Sequence, residues 1–112
     1  MNVRIGTDLV NIKRFGKKLE NSPAIFEKLF QPAELKNSDP SHLAGIFTAK
    51  EAAAKALELA SGSWLEMEVG YYENGKPFVK FSKNIKVKPK SFDLSIAHDG
   101  DYAIATFIAI LK

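Results

Sequence analysis

Residues 47–56 read Phe-Thr-Ala-Lys-Glu-Ala-Ala-Ala-Lys-Ala, a run of strong helix formers with little polar surface. Only Thr48, Lys50, Glu51 and Lys55 break its apolar character. A helix that is apolar nearly all round is covered on most sides, so the segment predicts a buried central helix. Charges on such a helix are costly unless something pairs with them. Glu51 and Lys55 stand four residues apart with the acid first, the favourable order for an intrahelical ion pair, and taken alone the spacing predicts that pair. The helix is expected to start after the break Ser38-Asp39-Pro40 and to end near Ser61-Gly62, with Gly62 as its C-terminal cap. On a helical wheel Leu43, Ile46, Phe47, Ala53, Ala54 and Leu57 form one arc. Lys50 falls inside that arc, and Glu51, Lys55 and Glu58 lie along or just beyond its edge.

The flanking segments predict an α+β fold. Val3–Ile5 is β-branched at two positions and reads as a short strand ending near Asp8. Asn11 is placed to cap a basic helix over Ile12–Leu19. Ser22-Pro23 is placed to open a second helix reaching about Leu29, and Gln31–Leu35 a short helical turn. After the central helix the pattern turns to β. Leu65–Tyr72 and Phe78–Phe81 flank Asn74-Gly75, and Phe92–Ala97 and Tyr102–Ile110 flank Asp99-Gly100, two hairpin signals. Lys83–Lys90 reads as a solvated edge or loop. The expectation is one domain over residues 1–112, a long central helix against a small antiparallel sheet.

Composition narrows the partners. With no cysteine, disulfides and thiolate metal sites are excluded, which fits a cytoplasmic location. No secretory signal is expected, and the most apolar run, Tyr102–Leu111, is too short to span a bilayer as a helix, so no membrane partner is expected. A net charge of +3 leans toward an acidic partner. Only Arg4 and Arg14 among the basic residues are arginines, and no aromatic stripe offers a stacking platform, so nucleic acid is not the expected partner.

The chemistry-bearing residues are few. Zinc spacing is missing, as are a P-loop, a dinucleotide fingerprint and a nucleophile elbow. A hard-cation site remains open, because magnesium takes one or two protein carboxylates and completes its shell with phosphates and water. Asp8 at a strand end and Glu51 on a buried helix would suffice. His98, at the turn end of a strand beside Asp99, reads by itself as an ordinary turn residue.

Three separated segments, Ile5-Gly6-Thr7-Asp8-Leu9-Val10, Phe47–Ala56 and Leu94-Ser95-Ile96-Ala97-His98 with Tyr102-Ala103, together resemble the holo-[acyl-carrier-protein] synthases, short bacterial 4′-phosphopantetheinyl transferases. Asn74-Gly75-Lys76-Pro77 fits the same order. The resemblance implies transfer of the 4′-phosphopantetheine arm of coenzyme A to a serine of an apo carrier protein, with release of 3′,5′-ADP. It implies Asp8 and Glu51 as magnesium ligands, Lys55 and His98 at the diphosphate, and Glu51 as first candidate for the proton acceptor. The resemblance makes Lys76 and Pro77 further expected contacts to coenzyme A, and Lys50 is expected there too, holding a phosphate or the local carboxylates. Carrier proteins are acidic, and Arg14, Phe15 and Lys18 of the basic helix are the expected docking residues. A homotrimer with active sites between neighbouring subunits is implied as well.

The chain departs from the family pattern in places. Ile46 stands where members usually carry arginine, and Leu57–Trp64 is shorter and poorer in glycine than the usual Gly-Thr-Gly-type loop. These departures keep open a second reading, a relative that binds a carrier or a nucleotide without transferring anything.

Overall fold

The structure is a computed structural model that describes residues 2–112. The chain runs β1 (Val3–Asn11), α1 (Ile12–Asn21), α2 (Ile25–Leu29), a 3-10 turn (Pro32–Lys36), α3 (Pro40–Leu57), a second 3-10 turn (Ser63–Glu66), then β2 (Met67–Tyr71), β3 (Pro77–Phe81), β4 (Ser91–Asp99) and β5 (Tyr102–Ile110). Strands β1, β5 and β4 form an antiparallel sheet in that order, and β2 pairs with β3 as a separate hairpin. The fold is α+β, as the sequence predicts.

Alternation along the strands decides which side α3 covers. Ala103, Ala105, Phe107 and Ala109 of β5 are buried, whereas Tyr102, Ile104 and Ile108 between them are exposed. The small residues let the helix lie close to the sheet. Gly6 is needed for the same reason: a Cβ there would stand 1.9 Å from the carbonyl oxygen of Ala52. Phe107 lies fully buried in the layer between helix and sheet, and Leu43, Ile46 and Leu57 are fully buried on the arc of α3 that also holds Lys50. Phe92 joins the hairpin to that layer, stacking on Phe107 at 5.6 Å and meeting Phe81 edge-on at 5.2 Å.

Element ends differ from expectation where a partner outside the segment decides them. Strand β1 continues past Asp8 to Asn11, because β5 supplies a residue opposite each of its nine positions. Helix α3 stops at Leu57, not near Gly62. Glu58 adopts the left-handed conformation (φ 52°), and Leu59 N–H donates to the Ala54 carbonyl at 2.9 Å, a Schellman ending built without glycine. Gly62 (φ 90°) opens the second 3-10 turn instead. Helix α2 begins at Ile25, since Ser22 is spent ending α1, its N–H donating to the Lys18 carbonyl at 3.0 Å.

Candidate active site

Asp8 lies on the face of β1 that α3 covers, two residues after the Gly6 contact. Two side chains of α3 reach it. Thr48 donates its hydroxyl to Asp8 Oδ2 at 2.7 Å, and Lys55 donates to Asp8 Oδ1 at 3.2 Å and to the Thr7 carbonyl at 3.0 Å. Thr48 and Lys55 are seven residues apart, almost two helical turns, so both lie over the same strand. The expected ion pair between Glu51 and Lys55 does not form; Lys55 pairs with Asp8. The strand offers the ammonium a carboxylate and a carbonyl together, more than Glu51 alone supplies.

Glu51 has no cationic partner among the described residues. Its Oε2 accepts a long hydrogen bond, 3.4 Å, from the indole N–H of Trp64. Glu51 and Lys55 wall a cleft of about 300 Å³, closed on its other side by Ala60, Ser61, Gly62 and Trp64. Lys55 thus links the Asp8 carboxylate of β1 to the cleft walled by Glu51, and half-buried Glu51 has no cation beside it among the described residues. Among the described residues no cage of three or more His, Cys, Asp or Glu side chains exists. An all-oxygen pair of carboxylates beside an open cleft still suits magnesium, which leaves most of its shell to water and substrate phosphate.

Lys50 requires a correction. Its side chain is 0% exposed, and it donates to the Leu29 carbonyl at 2.7 Å and to Glu34 Oε1 at 2.6 Å. Glu34 is equally enclosed and also accepts the Gln31 N–H at 2.7 Å and the Val69 N–H at 2.6 Å. Burial pushes the Lys50 ammonium below its ordinary value of 10.5, with Glu34 pulling against that shift. Lys50 therefore ties α3 to the first 3-10 turn and β2, and no phosphate reaches it. The lysine inside the apolar arc is explained by Glu34, whose one sequence signal is the capping box Gln31-x-x-Glu34.

The remaining expected residues fall elsewhere. His98 sits on β4 opposite Ala103, its Nε2 3.0 Å from the Ser41 carbonyl and against Gly45 near the start of α3. Gly45 and Lys55 are about 15 Å apart along the helix axis, so one chain does not bring His98 to the Asp8–Lys55–Glu51 group. Lys76 and Pro77 belong to the hairpin beside β4. There Lys76 pairs with Asp93 at 2.7 Å and holds that carboxyl below its usual range. With Tyr72 and Phe92 they line a cleft of about 430 Å³.

On α1, Asn11 accepts the Arg14 N–H at 3.0 Å as the expected cap, and Arg14 and Lys18 are exposed one turn apart. Phe15 differs from expectation: it is buried and stacks on Phe47 at 5.0 Å. It belongs to the floor of a groove of about 240 Å³ whose rim carries Arg14 and Lys18, and is not an exposed contact. Trp64 borders this groove as well as the Glu51 cleft. Sequence reasoning missed both Trp64 and Thr48. The only available hint for the tryptophan was its being the one indole of the chain.

A family model described as the 4′-phosphopantetheinyl transferase superfamily matches residues 4–107. The holo-[acyl-carrier-protein] synthase of Pseudarthrobacter chlorophenolicus is 41% identical, the match covering 97% of this chain and 98% of that protein. The protein of the same name from Caldanaerobacter subterraneus is 35% identical over 98% and 96% of the two chains. Among solved structures, Helicobacter pylori holo-[acyl-carrier-protein] synthase in complex with coenzyme A superposes with a TM-score of 0.82 at 30% identity, covering 96% of this chain and 99% of that one. The Chronobacterium ammoniagenes ACPS–CoA complex superposes with a TM-score of 0.84 at 28% identity over 100% and 99%.

Proposed function

The chain belongs to the 4′-phosphopantetheinyl transferase superfamily, and from that premise we propose that it moves the 4′-phosphopantetheine arm of coenzyme A to a serine of an acidic apo acyl carrier protein. The observation that supports the reading is at the junction of β1 and α3, where Lys55 pairs with Asp8 and, with Glu51, walls an open cleft. The serine oxygen bonds to the phosphorus that bears the pantetheine arm, the phosphoanhydride bond breaks, and 3′,5′-ADP leaves. Little covalent work falls to the protein, so positioning and charge neutralisation dominate.

Lys55, exposed at the mouth of the cleft, lies where it can neutralise a diphosphate oxygen. Asp8 and Glu51 would hold magnesium, which supplies charge neutralisation to the phosphates when bound. Glu51, with no cation of its own, is the candidate acceptor for the serine proton. Arg14 and Lys18 on the groove rim offer cations to the acidic carrier, and the groove shares the Trp64 wall with the Glu51 cleft. A docked carrier would then lie next to the reacting phosphate. Among the described residues no helix is long and apolar enough to cross a membrane. The lack of cysteine fits a cytoplasmic site for the reaction.

His98, Lys76 and Pro77 would serve the active site of a neighbouring copy in a homotrimer. Two observations support this. Within one chain these residues lie on the β4 side, away from Asp8. The uncovered sheet face is also apolar, with Ile5 66%, Leu9 60% and Ile108 44% exposed. An apolar patch of that kind marks an interface.

The test is a transfer assay with this protein, magnesium, coenzyme A and an apo carrier, read as a phosphopantetheine mass gain on the carrier. Asp8→Asn and Glu51→Gln should each abolish the gain. No gain with any of several carriers at saturating coenzyme A would overturn the proposal. Ile46, buried where family members usually carry arginine, favours the second reading, a non-transferring binder. Calorimetry showing tight coenzyme A binding without turnover would select it.

A further inference from the structure

Thr48 is a polar residue of α3 to which the proposed reaction gives no role. Its side chain is fully buried, 0% exposed, on the β1-facing side of α3 that it shares with Ala52 and Lys55. A threonine inside a helix ordinarily satisfies its hydroxyl on a carbonyl three or four residues back. Thr48 instead reaches across to β1 and donates to Asp8 Oδ2 at 2.7 Å. A carboxylate has two oxygens and about four lone-pair sites. Thr48 engages one oxygen of Asp8 and Lys55 the other, which leaves each oxygen able to accept once more.

From this geometry we infer that Thr48 is a positioning residue: it fixes the Asp8 carboxylate in one rotamer, so that its open lone pairs are preset for a hard divalent cation. Two independent donors from one rigid helix over-determine that rotamer. The close seating of helix on strand at Gly6 and Ala52 keeps the two elements from drifting apart. Partners that orient a ligating carboxylate in this way typically govern metal affinity more than fold stability. The inference rests on the reading of Asp8 as a metal ligand.

Calorimetric titration of manganese into the protein, with coenzyme A present, tests it on the wild type, Asp8→Asn, Thr48→Ala and Thr48→Ser, beside thermal unfolding without metal. Thr48→Ala should weaken manganese binding by about 10–100-fold while leaving the unfolding temperature nearly unchanged, because alanine favours the helix. Thr48→Ser, which keeps the hydroxyl, should restore most of the affinity. Thr48→Val, close in shape, serves as a second variant should alanine disturb folding. Unchanged manganese affinity in Thr48→Ala or Thr48→Val, with affinity lost in Asp8→Asn, would overturn the role of Thr48 alone. Wild-type affinity in Asp8→Asn would overturn the metal reading, and the inference with it.

Discussion

Trp64 touches both halves of the candidate site. Its N–H meets Glu51 at 3.4 Å, and its ring lies 6.4 Å from Phe47, which stacks on Phe15 beneath the groove rimmed by Arg14 and Lys18. Because it is the one tryptophan of the chain, its emission should change when magnesium and coenzyme A are added. Trp64→Phe keeps a ring in the wall and removes the donor. Losing one hydrogen bond to a charged group corresponds to about 1.5–3 kcal/mol at most, and less for so long a bond, so the transfer rate should fall several-fold without loss of fold. Lys50 makes the opposite prediction. Lys50→Met leaves the Glu34 carboxylate enclosed with two backbone N–H groups and no cation. Breaking a buried pair in this way costs about 3–5 kcal/mol, so denaturant unfolding should shift strongly while coenzyme A affinity, measured where the variant remains folded, should not. A large loss of affinity in the folded variant would restore Lys50 to the ligand site.

Gly6 carries the tightest seam between elements. Any Cβ there meets the Ala52 carbonyl, a backbone atom that cannot turn aside. Gly6→Ala should therefore push α3 off β1, lower the unfolding temperature and weaken the Asp8 contacts to Thr48 and Lys55, with an overpacking cost of about 1–3 kcal/mol or more. An unfolding temperature equal to that of the wild type would show that the helix can shift freely. The same seam shows what was legible in the sequence. The buried helix, both hairpin turns at Asn74-Gly75 and Asp99-Gly100, and the Asn11 cap were readable because their signals are local. The full length of β1 was not, since it depends on β5 almost one hundred residues away. Likewise, the partners of Lys50 and Asp8 lie 16 and 40 residues away in sequence, at Glu34 and Thr48. Periodicity marked Lys50 as anomalous but could not say which acid answers it. Residue type and the family resemblance named Asp8 and Glu51 as candidates, but neither pointed to the threonine between sheet and helix.

At the scale of the whole molecule, one chain separates what the family resemblance groups together. The Asp8–Lys55–Glu51 junction lies on the β1 side of the sheet, and His98 with the Lys76 hairpin lies on the β4 side. The uncovered face between them, with Val3, Ile5, Leu9, Ile104 and Ile108, is apolar along β1 and β5. Closing three such faces on one another would bury that surface and bring the β4 side of one copy toward the β1 side of the next. Sedimentation should then report a trimer, and Ile5→Glu should yield folded monomers without transfer activity. A mixing experiment separates shared sites from sites within one chain. Asp8→Asn and His98→Ala trimers should each transfer poorly. In mixed trimers, a site that takes Asp8 from a His98→Ala copy and His98 from an Asp8→Asn copy has both residues intact. Random exchange in a cyclic trimer gives that pairing at about one site in four. Equal amounts of the two variants, unfolded and refolded together, should therefore recover about a quarter of wild-type transfer. Refolding each alone should leave only the poor transfer of that variant. Activity that stays at the level of the separate variants would mean that each chain uses its own His98, or that His98 takes no part.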